Sequence, residues 1–247
     1  MALDQELLTA RRPRDVVDVA GAWIAEALAE HGFRWLRKTR DVQRDVDGIV
    51  HRIALQPSSY NRTGQLIRIS TYVGVRDPAL RRWRLAHPHL VGGPADHDLV
   101  CAHLLGYASG RANGYVYGDA LDGDIDLTDP AQRARHLDRF VAMVREGVLP
   151  WFAEASDPDS IVSSRAGDFT NNSVAILEWL AYQGRIDLVH NYVRRYRARH
   201  PGTEQPWADG VAAALAGRPC PLTGDEVTAM AWSTTTLTAN AGGQLKA

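Results

Sequence analysis

The chain has 247 residues, enough for one good hydrophobic core or for a core with a small annex, and its 45% hydrophobic and 23% charged composition is that of an ordinary globular protein. A formal net charge of -1 excludes a global pull toward nucleic acid or an acidic membrane surface, and no apolar run approaches the ~20 residues of a membrane span. The opening MALDQELLTA carries two acids and no basic segment. No secretory leader is therefore expected, and the cytoplasm is the default location. Only Lys38 and Lys246 among the 28 basic residues are lysine. That reads as compositional bias rather than as an arginine-rich binding surface.

Arg14 to His31 has helical periodicity, with Val16, Val17, Ala20, Trp23, Ile24, Ala27 and Leu28 on one stripe, Pro13 before it and Gly32 as its stop. Phe33 to Asp45 reads as a charged strand suited to a sheet edge. Gly48 to Val75 is the organising stretch. His51, Ile53 and Leu55 share one parity, Ile67, Ile69, Thr71, Val73 and Val75 share another, and the polar run Pro57 to Gly64 separates them. Such alternation predicts an antiparallel hairpin with one buried face. Asp77 to Arg84 predicts a short helix, His87 to Asp98 a loop, and Leu99 to Leu105 and Gly114 to Tyr117 further strands.

Asp129-Pro130 predicts a helix start and Pro150 its end. A helical hairpin follows, Val174 to Gln183 and Ile186 to His200, capped by Asn172 or Ser173 and stopped by Pro201-Gly202. Ala208 to Ala216 is a further short helix, Thr223-x-x-Glu226 is a capping-box pattern, and Ser233 to Ala247 is expected to fray. The order of helix, strands, then helices implies an α+β fold: an antiparallel sheet of about four to five strands flanked by helices, with a C-terminal helical annex. The expected divisions are a sheet domain over 1–157, the annex over 158–222 and a partly flexible tail over 223–247.

HGFRWLRKTRDVQRDVDG (His31 to Gly48), VHRIALQPSSY (Val50 to Tyr60) and LIRISTYVGV (Leu66 to Val75) together resemble the bacterial Domain of Unknown Function forty-three-oh-four family over the first half of the chain. Trp83 also fits that pattern; Pro57 after Gln56, and the region from about Ser160, depart from it. The resemblance implies an α+β sheet fold and no established activity. Related small domains are suspected of being toxin-neutralising immunity proteins.

Candidate chemistry is sparse. His87, His89, His97 and His103 lie in one window with Asp96 and Asp98, but His-Pro-His is ordinary loop sequence, so no metal is expected and His87, His89 and His97 are weak candidates for one. The acidic run Asp119, Asp122, Asp124, Asp126 and Asp129 fails the spacing of a Ca²⁺ loop. Cys101 and Cys220 stand far apart with no CxxC. No P-loop, GxGxxG or GxSxG occurs, and no cofactor is expected. Weak acid-base candidates are His51, Gln56, Tyr60, Tyr72 and Glu178, the last standing in the apolar VAILEWLAYQ, where a buried carboxylate is either a general base or the partner of an arginine such as Arg185. The candidate binding set is Arg37, Arg40, Arg44, Arg52 and Arg68. The expected function is an intracellular binding protein with a protein partner, nucleic acid and membrane being disfavoured, and an immunity-type protein is its sharpest form. The alternative is a cofactor-independent enzyme of bacterial secondary metabolism with an acid-base residue in a cleft.

Overall fold

The structure, a computed structural model, describes residues 2–110, 116–117, 120–121, 124–168, 173–221 and 225–244. The chain divides into two compact units, each drawn from two separate stretches. A sheet unit comprises Met1–Val75 and Ala102–Ala153, and a helical unit comprises Arg76–Cys101 and Glu154–Ala247. The division expected from the sequence is instead consecutive, over 1–157, 158–222 and 223–247. The segment between the central hairpin and the fifth strand joins the C-terminal helices, because its apolar and charged side chains find their partners there.

The N-terminal residues form α1 (Ala2–Thr9), followed by α2 (Pro13–Ala27) with Pro13 in its first turn. A short 3₁₀ turn then ends on Gly32 at φ 80°, the left-handed stop the sequence predicts. The single charged strand expected over Phe33 to Asp45 is instead two. β1 (Arg34–Leu36) turns through Arg37 to Arg40 into β2 (Asp41–Val46), which runs antiparallel to it with Trp35 opposite Val42. Leu36 O accepts hydrogen bonds from the N–H of Thr39 and Arg40, and Arg40 takes φ 58° to close the turn. Four polar residues with no apolar alternation cannot hold a strand, so the chain reverses there.

β3 (Ile49–Pro57) pairs antiparallel with β2, and β4 (Arg68–Arg76) follows across a turn in which Asn61 accepts from Arg68 N–H and donates to Arg68 O. The buried residues are the ones the alternation predicts: His51, Ile53 and Leu55, then Ile69, Thr71, Val73 and Val75. Asp77 caps α3 (Pro78–Ala86), accepting from Ala79 and Leu80 N–H. β5 (Leu99–Leu104) leads into the single turn α4 (Leu105–Ala108). The short strands β6 (Val116–Tyr117) and β7 (Ala120–Leu121) pair with each other, and β8 (Ile125–Asp126) pairs with the start of β4. The sheet order is β1-β2-β3-β4-β5, with β8 beside β4. The fold is α+β with an antiparallel sheet.

Asp126 and Asp129 accept from Thr128 and Ala131 N–H in two successive side-chain turns, so α5 (Arg133–Met143) starts three residues later than Asp129-Pro130 suggests. Pro150 does not end it. Val144–Val148 widen into a π turn and the helix resumes as α6 (Leu149–Ala155), because the wider turn accommodates a proline that lacks an N–H. Gly147 sits in that turn against the Ser109 backbone, where a Cβ would lie 2.4 Å from Ser109 O.

The remainder is helical: α7 (Pro158–Ile161), α8 (Ser173–Tyr182), α9 (Ile186–Arg199), α10 (Glu204–Leu215) and α11 (Glu226–Gln244). Gly184 and Gly202 take φ 74° and 80° after α8 and α9, at the predicted stops. Asn172 and Thr223 lie outside the described residues, and Asp225 accepts from Val227 N–H at the start of α11. Of the stretch expected to fray, Ser233 to Gln244 continue α11, with Ser233 and Leu237 buried as Met230 and Ala231 are in the turn before them. Its threonines turn back on the helix: Thr234, Thr235 and Thr238 each donate to the carbonyl four residues earlier.

Each unit has its own core. In the sheet unit α2 packs on β1, β2, β3 and α5, burying Ile24, Val42, Ile53, Phe140, Trp151 and Phe152. Gly21 of α2 leaves room for the Trp35 indole, whose atoms lie 2.5 Å from where a Cβ would stand. In the helical unit α11 packs on α8, α9 and α10 around Ile176, Trp179, Val189 and Met230. Full burial of each such side chain is worth about 1.5–3 kcal/mol.

Candidate functional site

The helical unit carries a cleft of about 500 Å³. Trp83 and His87 line it at the end of α3, Leu90 in the following loop, Ile186 and His190 on α9, and Leu237, Thr238 and Asn240 on α11. Helical periodicity puts Leu237 on one side with Asn240 and Ala241, and Thr238 with Ala241, since residues three and four apart share a face. His87 Nδ1 lies 2.9 Å from Trp83 O. A carbonyl only accepts, so Nδ1 carries the hydrogen and the neutral ring presents Nε2 as an acceptor. The His87 ring stacks on the Trp83 indole with centroids 5.2 Å apart.

The loop that presents His87 is held by a buried ion pair. Arg84 Nε donates to Glu178 Oε2 at 2.6 Å, and Gly92 N–H donates to Oε1 at 2.7 Å. Arg84 also donates to His97 O and Leu99 O, so one guanidinium ties the far end of the loop as the carboxylate ties its middle. Glu178 is 0% exposed and Arg84 3%. Burial pushes the Glu178 carboxyl up, opposed by Arg84 and by the N–H of Gly92 and Gly93. Its partner is thus Arg84; Arg185, the expected candidate, makes ion pairs with Asp159 and Asp187. Glu178 acts as an anchor for the cleft loop.

His51, in the sheet unit, is 3% exposed, stacks on Phe152 at 4.5 Å and accepts through Nδ1 from Arg44 Nε. Burial, then Arg44, lowers it to about 4. It is a neutral imidazole inside the core. Gln56 is exposed on the opposite parity of the same strand, Tyr60 is 75% exposed in the hairpin turn and Tyr72 is exposed on β4. His51 is thus buried while Gln56, Tyr60 and Tyr72 are at the surface.

The arginines are mostly engaged within the sheet unit. Arg37 pairs with Asp18 at 2.8 Å, Arg52 with Asp41 at 2.7 Å, Arg68 approaches Asp124 at 3.9 Å, and Arg44 lies over the Phe33 ring while donating to His31 O. Arg40 occupies the positive-φ turn position and is exposed.

His87 and His89 flank Pro88 with ring centroids 6.4 Å apart and tilted by 50°, and they line different clefts. His89 lines a second cleft of about 410 Å³ with Trp232 and Cys220, whose thiol burial pushes up to about 11. His97 is exposed, 4.0 Å from Asp96, and His103 packs against Tyr107 and Trp151 in the sheet unit. Among the described residues no group of three His, Cys, Asp or Glu side chains could hold a metal ion. Asp119 and Asp122 of the acidic run lie outside the described residues. No described helix is long and apolar enough to cross a membrane.

No family model, curated protein or solved structure matches this chain. The site therefore stands on its geometry. His190 and Asn240 are the residues that sequence reasoning missed. His190 sits on the outward side of α9 beside an otherwise clean apolar stripe, and the spacing of Met230, Thr234, Leu237 and Ala241 was the available sign that the threonine-rich tail is a helix.

Proposed function

We propose that this chain is a binding protein whose recognition site is the cleft of the helical unit and whose ligand is a small molecule. The observation that carries the reading is the cleft itself: about 500 Å³, apolar on Leu90, Ile186 and Leu237, with the polar groups of His87, His190 and Asn240 converging on it. Ligand sites are concave, mostly apolar and furnished with a few placed polar groups, and this volume suits a drug-sized molecule. The buried Arg84–Glu178 pair supports the same reading, since it fixes the loop that presents His87. A fragment screen by saturation-transfer NMR on the full chain tests it. Hits weakened in both His190→Ala and Asn240→Ala are expected; a screen without such hits would sink the proposal.

A second reading, a protein-docking surface of the immunity type, draws on the sheet unit and on the family resemblance. Tyr72, Gln56 and Tyr60 are exposed on the hairpin, and Val46 is 40% exposed at the end of β2. Because four of the five arginines first assigned to docking face acids or groups of their own unit, recognition in this reading rests on aromatic contact rather than on charge. Co-purification that survives in the parent and is lost in Tyr72→Ala with Tyr60→Ala would favour it.

A further inference from the structure

Building on the reading of the cleft as a small-molecule site, we infer that it takes an uncharged, flat, ring-containing molecule with one hydrogen-bonding edge. Among the described residues that line it there is no Asp, Glu, Lys or Arg. Of the ionic groups next to it in the chain, Arg185, between the lining residues Gly184 and Ile186, holds Asp159 at 2.7 Å and Asp187 at 3.1 Å, Arg84 and Glu178 hold each other, and Arg82, beside Trp83, is exposed to solvent. A charged ligand group would thus leave water for a wall with no counter-charge, which is strongly unfavourable. The stacked Trp83 and His87 rings supply a flat aromatic surface, and such surfaces favour ring-on-ring contact. Asn240 provides a donor and an acceptor, and the tautomer fixed by Trp83 O makes His87 Nε2 an acceptor. Leu90, Ile186 and Leu237 offer apolar surface to the rest of such a ring.

The test is isothermal titration of the full chain, in slightly alkaline buffer, with three probes of one ring system: indole, indole-3-acetate and tryptamine. Indole is expected to bind, the anion and the cation to bind at least about tenfold more weakly, and Asn240→Ala and His190→Ala to weaken indole by about tenfold. Trp83→Ala should abolish the titration, and the two milder variants keep the test meaningful if it does not fold. Equal or tighter binding of either charged probe, still sensitive to Asn240→Ala, overturns the ligand class and leaves the cleft as a small-molecule site. Absence of binding by all three probes, or binding indifferent to both mild variants, overturns the cleft reading as well.

Discussion

Replacing Glu178 by Gln tests the ion pair that anchors the cleft loop. In the parent, one carboxylate oxygen accepts from Arg84 Nε at 2.6 Å and the other from Gly92 N–H at 2.7 Å, with both side chains out of solvent. A glutamine amide has only one oxygen. Whichever way it turns, its NH₂ must face either the guanidinium or the Gly92 N–H, giving donor against donor, and Arg84 keeps a buried charge without a counter-ion. Removing one partner of such a pair costs about 3–5 kcal/mol, and the retained hydrogen bond places Glu178→Gln near the lower end. Arg84→Met with Glu178→Leu removes both charges together. It leaves Gly92 N–H and the His97 carbonyl in need of partners, at about 1–3 kcal/mol each, but no unpaired buried charge, so the double variant should lose less than the sum of its two single variants. Urea unfolding followed by circular dichroism, in a double-mutant cycle with the two single variants, gives the coupling. A Glu178→Gln protein within about 1 kcal/mol of the parent, or a double variant whose loss equals the sum of the singles, would refute the argument.

Three further predictions concern the cores. His51 is held at about 4, against an ordinary 6.5, so the folded state binds its proton more weakly than the unfolded state does. The stability this gives is complete above pH 6.5 and is lost as pH falls toward 4, by up to about 3 kcal/mol; His51→Gln should flatten the urea midpoint across that window, and parallel profiles would reject the assignment. Gly210→Ala places a Cβ 2.3 Å from Thr228 O and 2.8 Å from Ala231 Cβ, and is expected to destabilise the α10–α11 contact by about 1–3 kcal/mol in thermal unfolding. Arg133, 1% exposed, donates to the carbonyls of Leu7, Ala10 and Leu127, so Arg133→Met should cost about 3 kcal/mol and speed amide exchange in α1; unchanged exchange there would contradict its role as a clamp.

The features that sequence carried well are those encoded by local period and by turn residues. The β3–β4 hairpin follows from two-residue alternation around a polar turn, and the ends of α2, α8 and α9 follow from Gly32, Gly184 and Gly202. Failures arose where a non-local partner overrode a local signal. Pro150 is a sound helix stop in isolation, but a π turn upstream takes up its missing hydrogen bond. Threonine has low helix propensity, and Thr234, Thr235 and Thr238 are nonetheless helical because Met230, Ala231 and Leu237 are buried against neighbouring helices. Of the candidate site, the suspicion that Glu178 meets an arginine was legible from one acid in an apolar helix. Its partner was not, since nothing local distinguishes Arg84 from Arg185. The cleft itself was invisible because its walls come from α3, α9 and α11, which no sequence period connects.

The pairing of Arg84 with Glu178 across 94 positions also has a consequence for the growing chain. At about 5–20 residues per second, a ribosome delivers the glutamate roughly 5–20 seconds after the arginine. Early in that interval the stretch Arg76–Cys101 is completed while α8 to α11 are still to be made, and β1 to β4 are already available to pair with one another. The sheet can begin to form around a tethered excursion whose charge still needs water. The helical unit, by contrast, gains its counter-charge only with α8, and the cleft must wait further for His190 of α9 and Asn240 of α11.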